Sequence, residues 1–190
     1  MGSKKIAIFA SGSGTNAQNI IEYFSDNKDV TIDSVWSNNA DAYVLQRAEK
    51  FGIDTFVFDR KAFVKNNSVV EKLIERDIEL IVLAGFLWLV PSSLIQNFKI
   101  LNIHPALLPK YGGKGMYGMN VHNAVVNNHE TESGISIHFV NEKYDEGELV
   151  FQATCPVLPS DSADDVAQKV HELEYKYFPQ VIEKVLTEKK

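Results

Sequence analysis

Short apolar runs separated by helix-length segments recur through the first half of the chain, and this alternation leaves few architectures open. Lys5–Ala10 (KIAIFA) and Leu80–Ala84 (LIVLA) are continuously apolar and end at Gly/Ser-containing turns, as buried central strands do. Asn19–Phe24 places Ile20, Ile21 and Phe24 on one helical side, and Thr31–Ser37 reads as a second strand. Ala42–Phe51 is helical up to Gly52, and Thr55–Phe58 is a short strand. Ser68–Glu75 is a helix with Val69, Leu73 and Ile74 inward, and another helix opens near Pro91. A strand then ends at His104, and Pro105–Tyr117 is loop. Val121–Asn127 reads as a helix, and Gly134–Val140 and Leu149–Val157 as strands. Ser162 and Asp165 make a capping-box-like start to a long final helix, with Val166, Val170, Leu173, Tyr177, Val181 and Val185 as its apolar stripe.

Strands alternating with helices imply parallel pairing with right-handed crossovers. The expected fold is α/β: an open, mostly parallel twisted sheet with helices on both faces, Rossmann-like, in one domain spanning residues 1–190. No repeat, linker or low-complexity tract divides it.

Two stretches carry candidate chemistry. At the end of the strand before Pro105, Asn102 and His104 are two residues apart and point the same way. An amide can donate to a developing oxyanion and a histidine can carry a proton at neutral pH, so the pair suits a reaction centre at the carboxyl end of a buried strand. The residues alone equally allow a capping Asn and a structural His at a turn. The second stretch, SGSGTNA at Ser11–Ala17, follows the first strand and opens a helix, the arrangement of an anion cradle; a ligand-free turn is the alternative. A dinucleotide fingerprint expects an acid ~20 residues on. Ser37, Asn38 and Asn39 stand there instead, with Asp41 nearby, and no GK[ST] follows the glycines. A phosphate monoester on a small substrate fits better.

Composition narrows the partners. The net charge is −6, and Arg47, Arg60 and Arg76 are the only arginines, which gives no basic footprint for nucleic acid. Anions must be held by backbone amides, helix N-termini or a few lysines. The single cysteine, Cys155, precludes an internal disulfide and reads as packing, and His122, His129 and His138 show no metal-ligand spacing. No apolar run approaches the ~18 residues of a membrane span, and MGSKK is too short and polar for a signal peptide. A cytoplasmic, soluble protein is expected.

SGSGTN, LAGF at Leu83–Phe86, NIHPALLPKY at Asn102–Tyr111 and YDEGELVFQ at Tyr144–Gln152 occur in an order that resembles the phosphoribosylglycinamide formyltransferases, over about residues 4–188. The resemblance implies formyl transfer from 10-formyltetrahydrofolate, as co-substrate and without a metal, to the glycinamide amine in purine synthesis. It implies His104 as general acid, Asn102 as oxyanion donor, and Asp145 beside His104, raising its pKa. It places the substrate phosphate on Gly14, Thr15 and Asn16, and the glycinamide end near Glu174 and His171. Apart from the resemblance, these two would be ordinary exposed helix residues. The pterin would lie against Leu87, Trp88, Leu89 and Val90, and against Asn141, Glu142, Lys143, Tyr144 and Asp145. The phosphate-binding half would be about 4–100, and the catalytic and folate-binding half about 101–188.

The sequence departs from the family pattern in three places. Trp88 replaces an Arg or Gln beside the pterin. Lys65 and Asn66 stand where an Arg meets the folate tail. KYGGKGMYGMN is longer and richer in glycine, and reads as a flexible lid with Lys110 and Lys114 toward anions. A formyl-folate hydrolase, an amino-sugar or methionyl-tRNA formyltransferase, and a non-catalytic nucleotide-binding module are the other readings. The hydrolase and the tRNA enzyme would carry further domains. A monomer or homodimer acting on small molecules is expected.

Overall fold

The structure is a computed structural model that describes residues 2–187; the ends of the expected domain, residue 1 and residues 188–190, lie outside it. Seven strands form one sheet: β1 (Lys4–Phe9), β2 (Val30–Ser37), β3 (Asp54–Val57), β4 (Ile78–Leu83), β5 (Lys99–His104), β6 (Glu132–Phe139) and β7 (Leu149–Pro156). Their order is β3-β2-β1-β4-β5-β6-β7. β1 to β5 pair in parallel, while β6 runs antiparallel to both β5 and β7. The expected open, mostly parallel sheet is therefore present.

Among the described residues, seven helices connect and cover it: α1 (Thr15–Phe24), α2 (Tyr43–Lys50), α3 (Arg60–Val64), α4 (Ser68–Glu75), α5 (Ser92–Asn97), α6 (Met119–Asn127) and α7 (Ala163–Thr187). Alternate residues of each central strand feed opposite faces, as the period of two requires. Ile6 and Ile8 enter a core with Ile20, Val44, Val170 and Phe178, contributed by α1, α2 and α7. Ala7 and Phe9 enter a second core with Trp36, Phe63, Leu73 and Leu94. Its aromatics pack closely: Phe9 and Trp36 stack at 5.8 Å and Phe58 and Phe63 at 5.0 Å between ring centroids.

Two expectations need correction, and one helix went unread. Arg60–Val64 is a helix that the apolar pattern did not mark; the Asp59 carboxylate caps it, accepting from the Ala62 N–H at 2.7 Å. In α4, Ile74 is 54% exposed, and Val70 is buried in its place. In α7 the inward line runs Val166, Val170, Glu174, Phe178, Ile182 and Leu186, a strict i, i+4 series, and Leu173, Tyr177 and Val185 are only half-buried. The long helix packs on β5, β6 and β7, and Glu174 is carried inward on the same line. Its capping box is formed: Ser162 N–H donates to Asp165 Oδ2 at 2.8 Å, and Asp165 N–H to Ser162 Oγ at 3.2 Å.

The winding reverses between β1 and β4. From β1 the chain builds outward through β2 and β3, whereas from β4 it builds the other way through β5. The loops leaving these two strands diverge and open a crevice at the carboxyl edge of the sheet.

Candidate active site

A cavity of about 700 Å³ occupies this crevice. The loops after β1, β4 and β5 supply Ser11–Asn16, Ala84–Leu87 and Asn102–Pro105 to its walls. The glycine-rich loop Gly113–Gly118, the pair Tyr144 and Asp145, and His122, His171 and Glu174 close it.

The glycine loop ends at Gly14, which takes φ 74° as it caps α1. A side chain there is doubly excluded, because a Cβ would lie 2.3 Å from Val44 Cγ2. Arg47 Nε holds the loop from outside, donating to the Ser13 carbonyl at 2.8 Å. Ser11 Oγ donates to Asn38 Oδ1 at 2.7 Å and accepts from Leu87 N–H at 3.0 Å, so the loops after β1, β2 and β4 are pinned together. The N–H groups of the first turn of α1 have no helical partner and, with the helix dipole, favour an anion. Gly14, Thr15 and Asn16 all line the cavity at this end.

Asn102 and His104 lie together at the end of β5, where β6 pairs beside them with Asn102 opposite His138. His104 is 4% exposed. Its Nε2–H donates to the Tyr111 carbonyl at 2.8 Å, and its Nδ1 is 3.5 Å from Asp145 Oδ2. A carbonyl only accepts, so the proton of neutral His104 sits on Nε2. The same logic sets His138: its Nδ1–H donates to Phe139 O at 2.9 Å, so its Nε2 accepts from Asn102 Nδ2 at 3.1 Å. This fixes the orientation of the Asn102 amide and leaves its second N–H for a ligand.

Asp145 takes φ 56°, an uncommon conformation for a residue other than glycine. Its loop is tied internally: Asn141 Nδ2 donates to Glu146 O at 3.0 Å, and Lys143 pairs with Glu146 at 3.0 Å. Gly147 lets this loop fold against β6, since a Cβ there would stand 1.6 Å from the Phe139 carbonyl oxygen. Asp145 Oδ2 accepts from Gly113 N–H at 2.9 Å, and Oδ1 is 3.6 Å from His138 Nε2. Burial works to raise the pKa of Asp145, but the imidazoles of His138 and His104 in their protonated forms, with the Gly113 N–H, outweigh it, and the net shift is downward. For His104 burial dominates and lowers its pKa below the ordinary histidine value; Asp145 opposes this without overcoming it. The expectation that Asp145 raises His104 overall is thus corrected: its pull is real but smaller than the cost of desolvation.

At the far wall Glu174 is buried, not exposed as its sequence position suggested. Its Oε2 accepts from Asn16 Nδ2 at 2.9 Å and from His171 Nδ1 at 2.7 Å. The hydrogen bond with Glu174 raises the pKa of His171 despite partial burial.

Of the residues that the resemblance places on the pterin, Leu87, Tyr144 and Asp145 line the cavity. Trp88, Leu89, Val90, Asn141, Glu142 and Lys143 lie outside its lining. Trp88 packs against Phe63 at 5.8 Å and Phe58 at 6.2 Å, with the Arg60 guanidinium 5.4 Å from its ring. Asn66 borders a separate surface depression, Lys110 pairs with Glu130 at 3.0 Å, and Lys114 is on the cavity wall. Cys155 is buried, and its burial raises the thiol pKa. No group of three or more His, Cys, Asp or Glu among the described residues is placed to hold a metal ion, and no helix among them is long and apolar enough to cross a membrane. His138, which alternates with Ile137 and Phe139 on its strand and so could be read as near the site, does reach it, bonded to Asn102. Sequence reasoning missed the inward turn of His122.

An open α/β sheet with a glycine loop at a helix N-terminus and an Asn-His-Asp cluster beside its switch point is an arrangement suited to a small-molecule group transferase. Residues 4–182 match the formyl transferase family, to which the chain belongs. Relatives include the phosphoribosylglycinamide formyltransferase of Haemophilus influenzae, 41% identical over 94% of this chain and 85% of that protein. That of Escherichia coli is 37% identical over 93% and 84%. The crystal structure of phosphoribosylglycinamide formyltransferase from Streptococcus pneumoniae superposes with a TM-score of 0.84 at 35% identity, covering 97% of this chain and 99% of that one.

Proposed function

We propose that the chain transfers the formyl group of 10-formyltetrahydrofolate to the amine of 5′-phosphoribosylglycinamide, in purine biosynthesis. One domain spanning residues 1–190 performs the reaction, and its place is the cytoplasm. The observation that carries this reading is that Asn102, His104 and Asp145 meet in one cavity that the glycine loop Ser11–Asn16 also lines.

Gly14, Thr15 and Asn16 hold the phosphate through amides and the α1 dipole, and the Glu174–His171 pair holds the rest of the ribotide. The walls at Ala84, Phe86, Leu87 and Ile103 are apolar and suit a flat heteroaromatic ring. Bound there, the folate supplies the formyl carbon. Asn102 presents its free N–H to the formyl oxygen as charge develops on it, a contribution of about 10²–10³ in rate. His104 carries the proton required by the leaving nitrogen, and Asp145 favours the protonated imidazole from the Nδ1 side. Nε2 is the nitrogen whose proton changes partner, since a neutral carbonyl holds an N–H less strongly than a carboxylate does.

The test is donor turnover with and without the ribotide. Deformylated folate produced only with ribotide supports the proposal. Turnover without an acceptor makes the protein a hydrolase, and none under either condition makes it a binding module.

A further inference from the structure

His122 lies on α6 and lines the cavity, yet it is 2% exposed and its Nδ1 is buried without a hydrogen-bond partner. A second buried atom of the same cavity wall, Asn16 Oδ1, is also unpaired, on the side chain that donates to Glu174. Buried polar atoms are nearly always paired in folded proteins, and an exception calls for a cause. Two such atoms on the wall of a substrate cavity are accounted for if their partner arrives with the substrate.

The surroundings of His122 indicate what that partner is. His171, Glu174 and His104 all act on it electrostatically, and it lines the same cavity as these three, so it lies within reach of both the Glu174 pair and the reaction centre. Burial above all, reinforced by the neighbouring imidazoles, lowers its pKa against the pull of Glu174. A neutral imidazole offers one N–H and one lone pair. Asn16 Oδ1 only accepts, and His122 Nδ1 is a lone pair in one tautomer and an N–H in the other. A phosphate oxygen cannot donate to Asn16, and an ammonium cannot accept from an Nδ1–H; a hydroxyl donates and accepts, and so serves both atoms in either tautomer. Glu174 accepts only, and one of its oxygens already takes two donors.

We infer that His122 is a substrate-binding residue that hydrogen-bonds a ribose hydroxyl of the ribotide, sensing the sugar between the phosphate cradle and the reaction centre. This rests on the ribotide reading above. It predicts that sugar recognition is a property of α6 as well as of α7.

The experiment compares steady-state kinetics of the parent protein, His122→Asn and His122→Phe on the ribotide and on its 2′-deoxy and 3′-deoxy analogues. The parent should lose about tenfold in kcat/KM when the contacted hydroxyl is removed, the size of one net hydrogen bond. His122→Phe should raise the ribotide KM about tenfold, keep kcat within about threefold, and no longer discriminate at that hydroxyl. His122→Asn, which sets an amide near the Nδ1 position, should recover part of the discrimination. If His122→Phe does not fold, the His122→Asn ratio of ribotide to deoxy analogue must still fall below that of the parent. A variant that keeps the parent's full preference for the hydroxyl overturns the inference alone. Absence of ribotide turnover in the parent overturns the formyl-transfer reading, and the inference with it.

Discussion

His104 donates its Nε2–H to the backbone carbonyl of Tyr111 at 2.8 Å, so the proton-carrying nitrogen is held by the loop that roofs the cavity. Delivery of that proton requires Nε2 to exchange the Tyr111 carbonyl for the substrate. The first prediction concerns the residue itself. His104→Ala should lower kcat about 10²–10⁴-fold, the usual range for a general acid, with much smaller changes in either KM. Because His104 is buried, a moderate fall in Tm accompanies the change, and circular dichroism at the assay temperature separates lost chemistry from lost fold. Ribotide-dependent turnover at the parent rate by a folded variant would refute the assignment.

Asp145 raises the pKa of His104 from a level that burial has depressed. Asp145→Asn keeps an oxygen for the Gly113 N–H and removes the charge. The His104 pKa should then fall further. A general acid is active while protonated, so the alkaline limb of the kcat–pH profile should move to lower pH. Imidazole proton titration by NMR should show the same displacement. A limb that stays in place, or moves upward, contradicts the coupling.

The sequence made the sheet legible because each central strand is a continuous apolar run and each crossover carries a helical stripe. That Asn102 and His104 face the cavity together was legible for a local reason: they are two residues apart on one strand, and a period of two aims them the same way. Asp145 was reachable only through family resemblance, since its approach to His104 depends on a loop folded over Gly147. Glu174 was misjudged because on a helix a buried carboxylate and an exposed one have the same spelling. Its burial depends on Asn16 and His171 facing it, one of them 158 positions away in sequence. The sign of the His104 shift was missed for a similar reason: a neighbouring charge can be named from a motif, but the degree of burial cannot.

Stability should depend on pH through the same histidines. His104 and His122 both have folded pKa values below the ordinary 6.5. The unfolded chain therefore binds more protons between those values and 6.5, and stability falls as pH drops through that window. His171 is shifted the opposite way; its contribution is complete below 6.5 and is lost as pH rises through its folded pKa. Denaturant titrations from pH 7.5 down to about 5 should show declining stability, with a shallower slope in His122→Asn. An equal slope in parent and variant would show that His122 does not titrate with unfolding.

Gly14 and Gly147 support two different loops of the site, and substitution at each should fail in a different way. At Gly14 the left-handed φ of 74° and a Cβ 2.3 Å from Val44 both oppose a side chain, and the loop that must yield is the phosphate cradle. Gly14→Ala should raise the ribotide KM at least tenfold and leave the folate KM nearly unchanged, because the distortion stays within the first turn of α1. Adding Val44→Ala removes only the Cγ2 contact; the Cβ and Cα of residue 44 still stand in the way and the backbone strain stays, so recovery should be slight. At Gly147 a Cβ would meet the Phe139 carbonyl oxygen at 1.6 Å, and the displaced segment carries Asp145. Gly147→Ala should therefore depress kcat and cost about 1–3 kcal/mol of stability, the range for an overpacked site, with little effect on ribotide KM. Kinetics of the two variants on both substrates separate the roles: identical profiles for Gly14→Ala and Gly147→Ala would mean that the cradle and the Asp145 loop move as one unit.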